Sequence, residues 1–109
     1  MIQVKTRSGI SKVPSWTMSE KNENLSEKDL FYCLVDISKP HPDVYVIPSA
    51  LVAKIIKEDH STWLAAPGKN GKAHNDNAIR RLTSDYQGKN KSAPKDWMDQ
   101  YLEAWDLIK

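Results

Sequence analysis

Polar and apolar positions alternate through the first seven residues. Ile2, Val4 and Thr6 fall on one side and Gln3, Lys5 and Arg7 on the other. That is the period-two signature of a strand with one buried face, here the side of Ile2, Val4 and Thr6. Further along, Ser15-Trp16-Thr17-Met18 is a short alternating piece whose Trp16 pins a crossover to the core. Leu30 to Ile37 is apolar at successive positions, which predicts a strand covered on both faces. Val44 to Ile47 is a second such strand. The short, twice-proline turn between the two (residues 38–43) makes an antiparallel hairpin the natural pairing.

Helical spacing appears in three places. Leu51, Val52, Ile55 and Ile56 lie on one stripe, with Lys54, Lys57 and Glu58 off it, so a helix capped by Ser49 lays one face on the sheet. Ile79 and Leu82 are three apart, which predicts a short helix over 77–82. Trp97, Met98, Tyr101, Leu102, Trp105 and Ile108 form a stripe that predicts a last helix beginning near Pro94. On this reading Trp63, Trp97 and Trp105 are core residues. A weak turn of helix follows Ser19. The stretches 7–14, 67–72 and 87–92 read as loops, the second flexible and basic, the third polar and mobile. The order is strand, short helix, strand, strand, helix, short helix, helix. It predicts an α/β (α+β) domain with a small mixed sheet of about three strands and three to four helices.

Length changes little in this picture: 109 residues make one domain, spanning 1–109, with a single core. No apolar run reaches the roughly 18 residues of a membrane helix, so no membrane contact is expected. The single cysteine, Cys33, lies in the most apolar run, which points to a small buried hydrophobe in a reducing cytoplasm. Charge adds more. Lys69, Lys72, Arg80, Arg81, Lys89, Lys91 and Lys95 face only Asp76 and Asp85 in the segment 67–95, whereas Asp96, Asp99, Glu103 and Asp106 dominate the end. A basic segment followed by an acidic one permits phosphate contact, or contact of the two patches with each other.

Candidate chemistry is sparse. The Gly/Lys-rich stretch 67–72 lacks the spacing and the hydroxyl of a Walker loop, and no apolar strand leads into it. No Cys/His group has zinc spacing. His60 near Trp63 reads as an imidazole packed on an indole, and His74 before Asn75 and Asp76 as a capped turn. Arg7, Trp16, Arg80, Arg81, Lys89 and Lys91 are the candidate nucleic-acid contacts, Trp16 by stacking and the cations through phosphates. Gln3 and Lys5 project from the same side of the first strand, about 7 Å apart. They are either a pair able to meet a metal-bound phosphate or the wet face of an edge strand.

The Gln3-Val4-Lys5 strand resembles the third motif of the PD-(D/E)XK, restriction-endonuclease-like nuclease superfamily, in the variant where Gln replaces the acidic residue. An ordered set of further pieces is similar to small bacterial proteins placed in or near that superfamily. It comprises Trp16 through Lys21, Leu30-Phe31-Tyr32 with Val35, Tyr45 through Ser49, His60 with Trp63, Pro67-Gly68, Gly71 with His74, Arg80 or Arg81, and Trp105-Asp106-Leu107. The resemblance implies Mg²⁺ held by Gln3 and the Val4 carbonyl. It assigns Lys5 to the attacking water and the developing phosphorane charge, and it implies DNA as partner.

The pattern departs from the superfamily in one respect. The acidic ligand of the second motif belongs on an upstream strand, and no such strand precedes Gln3 in this sequence. The expectation is therefore the C-terminal part of a restriction-endonuclease-like fold, or a shortened relative, with weak activity or none alone. The alternative is a catalytically inert nucleic-acid-binding or protein-interaction module of a defence or restriction system. Without neighbouring strands, the strand at residues 1–7 is expected to be an exposed sheet edge, where a second copy can pair to form a homodimer.

Overall fold

The computed structural model describes residues 2–7, 13–68 and 71–108. Most of the loop expected over 7–14, and the centre of the one expected over 67–72, lie outside the described residues. In chain order the elements are β1 (Ile2–Arg7), β2 (Ser15–Ser19), β3 (Phe31–Asp36), β4 (Asp43–Pro48), α1 (Ser49–Ala65) and β5 (Ile79–Thr83). Turns of 3-10 helix lie at Glu20–Asn24, Asp99–Tyr101 and Trp105–Ile108. A mixed sheet has the order β1-β3-β4, and β2 pairs with β5 in a separate antiparallel ribbon. The α+β class and the antiparallel β3–β4 hairpin agree with the sequence reading.

β3 is central because its side chains are apolar on both faces. Tyr32 and Leu34 point into the main core, where they meet Ile47 of β4, Val52, Ile55 and Ile56 of α1, Trp16 and Met18 of β2, and Leu82 of β5. Tyr86, Trp97 and Met98 close the far side. The expected stripe of α1 is thus the packed one. Ser49 does something other than cap it. Buried at the helix start, its hydroxyl donates to the Glu27 carbonyl at 2.9 Å and accepts from the Glu27 amide at 3.1 Å, clamping the loop before β3.

Three expected elements are different in the structure. The segment 77–82 is not a helix. Ile79–Thr83 is strand β5, paired Trp16↔Leu82 and Met18↔Arg80 with β2. Over five residues a spacing of three fits either period, and the neighbouring ribbon strand decided. The last helix is likewise absent. Asp96 and Glu103 take left-handed φ values of 62° and 53°, and Leu102 lies extended, bridging to Tyr45 of β4. Pairing to the sheet replaced the helix that its stripe favoured. Trp97 is core as expected, but Trp63, near the end of α1, and Trp105 are 37 % and 46 % exposed. Finally, the polar stretch 87–92 is anchored. Asn90, 2 % exposed, donates from Nδ2 to the Ile55 carbonyl at 2.9 Å, and Glu58 accepts from the amides of Lys91 and Ser92.

The largest correction concerns β1. Its expected faces are exchanged: Ile2, Val4 and Thr6 are exposed, Gln3 and Lys5 are half-buried, and Arg7 is buried. β1 runs parallel to β3 in the register Gln3↔Tyr32, Lys5↔Leu34, Arg7↔Asp36. Register neighbours share a face, so the polar row of β1 lies on the core side of the sheet, at its margin.

Candidate functional site

Gln3 and Lys5 stand beside Tyr32 and Leu34, at the border where the core meets β1. Arg7 ends the row, its Nη1 3.5 Å from Oδ2 of Asp36. The other Asp36 oxygen accepts the Ser38 amide at 3.0 Å and the Ser38 hydroxyl at 2.6 Å. Burial pushes the Asp36 carboxyl up. The two Ser38 bonds and the Arg7 charge outweigh that and hold it below the usual carboxylate range. Asp36 is therefore an ionised, fully engaged group.

A cradle for Mg²⁺ makes specific demands on such a row. The ion takes oxygen ligands and draws most of its binding from carboxylates or phosphates. Gln3 and the Val4 carbonyl offer neutral oxygens, and the cations Lys5 and Arg7 follow them along β1. The carboxylate in the same row, Asp36, is already committed to Arg7 and Ser38. Among the described residues, no three His, Cys, Asp or Glu side chains converge as a metal group. The residues present do not fit the metal.

The candidate nucleic-acid contacts do not form one surface. Arg7 is buried against Asp36. Trp16, 2 % exposed, is a core residue that donates Nε1–H to the Val35 carbonyl at 3.3 Å, so it has no open face for a base. Arg80 is also interior. Its Nε meets the Glu23 carboxylate, and its Nη1 donates to the carbonyls of Asn77 at 2.6 Å and Ile79 at 3.1 Å. Arg81 projects from the other side of β5, exposed, with Nη2 3.2 Å from Asp59. Lys89 and Lys91 are exposed on the anchored segment.

A cleft of about 300 Å³ opens between the end of α1 and the start of β5. Asp59, His60, Trp63, Ile79 and Arg81 are among its lining residues. Trp63 stacks with His60 at 5.5 Å and with His74 at 4.1 Å between ring centres. His60 Nε2 lies 2.7 Å from Asp76, whose carboxyl that bond holds below its usual range. The expected His60–Trp63 packing is present. The contributions of His74 and Asp76 lay beyond sequence reasoning, since they approach α1 from a separate segment, and so did the partner of Asp59, which is Arg81 of β5. A spacing of three or four residues along one helix is the only local signal available, and it reaches only the residues of α1 itself. The polar groups here are matched in pairs, the Asp59 carboxylate with the Arg81 guanidinium and the Asp76 carboxyl with the His60 ring. That pairing fastens the segment before β5 to the helix.

No protein-family model matches the chain, and neither a curated protein nor a solved structure matches it.

Proposed function

We propose that this chain is a protein-interaction module with a restriction-endonuclease-like ancestry rather than a working nuclease, and that it docks through the outer edge of β1. One observation carries the reading. β1 is bonded to β3 on one side, and its other side has no strand partner among the described residues. Three β-branched side chains, Ile2, Val4 and Thr6, stand exposed along it. An unpaired row of N–H and C=O groups is a template for strand addition, in which main-chain bonds supply affinity. The opposite edge of the same sheet is treated differently. There the Leu102–Tyr45 bridge and the Glu103 amide, 2.8 Å from the Val44 carbonyl, cover β4.

The Gln3-Val4-Lys5 resemblance supports the ancestry, and the commitment of Asp36 to Arg7 and Ser38 supports the loss of catalysis. The internal pairing of Arg7, Arg80 and Arg81 supports a protein partner over DNA. No helix among the described residues is long and apolar enough to cross a membrane. A cytoplasmic setting fits the free, buried Cys33.

The test uses plasmid and linear DNA with Mg²⁺ or Mn²⁺, alongside a Lys5→Ala control. The expected result is intact DNA and no gel shift at low salt. Cleavage that vanishes in Lys5→Ala would restore the nuclease reading.

A further inference from the structure

Building on the edge-docking reading, we infer that the occupant of the β1 edge is a second copy of this chain, paired antiparallel about a two-fold axis through Val4.

Main-chain directions come first. The Arg7 carbonyl accepts the Ile37 amide at 3.0 Å, so Arg7 turns its backbone groups towards β3. Within a strand both groups of one residue point to the same side, and the side alternates. Gln3 and Lys5 therefore also bond towards β3. Ile2, Val4 and Thr6 direct their N–H and C=O groups outward. A two-fold axis pairs a strand with its own reverse, so the contact is antiparallel.

Charge and overlap then select the register. Outward residues must meet outward residues, which confines the axis to a residue rather than a peptide bond. An axis through Lys5 sets two ammonium groups against each other. Directly opposed like charges are destabilising. An axis through Thr6 leaves Ile2 and Val4 without partners among the described residues. An axis through Ile2 or Gln3 leaves Thr6 without a partner among the described residues.

The axis through Val4 has none of these faults. It pairs Val4 with its own copy and Ile2 with Thr6, each pair exchanging both main-chain bonds. It places the Lys5 ammonium opposite the neutral Gln3 carboxamide of the partner subunit, a group whose oxygen can accept from it. Arg7 adds no repulsion, because Asp36 neutralises it within the chain.

The side chains agree with this geometry. Val4 is 63 % exposed and Ile2 45 %. Both lie on the sheet face that continues over Cys33 and Val35 to Val46 and Val44. Joining two copies extends that apolar face across the axis and covers the Val4 pair. Lysine on an edge commonly deters strand addition. Here Lys5 deters strands that bring a cation to it and tolerates the chain's own reverse. A single strand pair buries less than a standard interface, so the dimer is weak and fills at high protein concentration.

The experiment combines hydrogen exchange on the natural sequence with cross-linking of Val4→Cys. In low-micromolar protein the amides of Ile2, Val4 and Thr6 exchange fast. In millimolar protein they slow by about tenfold or more. Oxidised Val4→Cys forms a covalent dimer, since Cα atoms of such a pair are about 5.5 Å apart, within disulfide reach. Thr6→Cys, far from its copy in this register, does not. Buried Cys33 stays silent.

Amides that stay fast at both concentrations, with no Val4→Cys dimer, overturn self-pairing while leaving the edge open for another strand. Amides already slow in the dilute monomer show an edge covered by the chain itself, and overturn both readings. A Thr6→Cys dimer in place of the Val4→Cys one overturns the register.

Discussion

The Arg7 guanidinium lies 3.5 Å from the Asp36 carboxylate, Nη1 to Oδ2, with both side chains buried. The two are register partners at the ends of β1 and β3. This contact accounts for the inverted faces of β1. Arg7 must turn inward to neutralise a buried carboxylate, and with a period of two it takes Lys5 and Gln3 with it. Val4 and Ile2 are left outside. Breaking a buried pair by removing one partner leaves an uncompensated charge and costs about 3–5 kcal/mol. Arg7→Ala is therefore expected to lower stability by about 3 kcal/mol, the lower end, because Ser38 still serves Asp36. Urea unfolding measures it, and a loss under 1 kcal/mol (roughly the value of a surface pair) contradicts the account.

Acid should act through the same carboxyl. The folded Asp36 titrates below the unfolded value of about 3.9. Its contribution is thus complete above that value and is lost as the pH falls through the folded one. Between pH 6 and pH 3 the natural chain is expected to lose stability that Asp36→Asn does not lose. Parallel acid titrations of the two proteins, followed by circular dichroism, decide the matter.

Trp16 supplies a test of core against stacking surface. Trp16→Ala should destabilise the fold by about 3–5 kcal/mol, the range for a large aromatic removed from a core. Trp16→Phe keeps most of the volume and loses the bond to Val35, so it should stay folded and leave oligonucleotide binding unchanged. A Trp16→Phe protein that folds but alters a gel shift would place Trp16 on a nucleic-acid surface after all.

Asn90 separates an anchored segment from a mobile one. Asn90→Ala removes the bond to the Ile55 carbonyl and the Asn90 acceptor for the Ser92 amide, which lies at 3.0 Å. A cost of about 1–2 kcal/mol follows, with faster exchange of the Lys91 and Ser92 amides. Fast exchange of these amides already in the natural chain would mean that the segment is not held by Glu58 and Asn90.

Gly68 probes the clasp beside the aromatic cleft. A Cβ there would stand 2.9 Å from the Lys72 carbonyl oxygen and 3.1 Å from the His74 ring. The carbonyl is backbone, and it also accepts the Gly68 amide at 2.6 Å, so it cannot simply swing aside. Gly68→Ala is expected to cost about 1 kcal/mol and to loosen the His74–Trp63 stack, visible as a change in indole fluorescence. A Trp63→Phe background shows whether that signal arises from Trp63. An unchanged spectrum with unchanged stability would remove the stack from the list of contacts that hold the segment before β5.

The sequence by itself determined the parts whose fate is settled locally. Leu30 to Asp36 and Val44 to Ile47 are apolar at successive positions, which leaves each only the part of a strand packed on the core. Their short proline turn leaves only a hairpin, and the Leu51–Ile56 stripe leaves only a helix lying on that sheet. The tertiary structure decided what local pattern leaves degenerate. Ile79 to Thr83 fits both periods and became a strand because β2 lay beside it. The Trp97–Ile108 stripe yielded its helix to the bridge between Leu102 and Tyr45. For β1, alternation showed that two faces exist but carried no information about which one is inside. A single buried charge on β3 made that choice, and so set which residues of the edge strand meet the solvent.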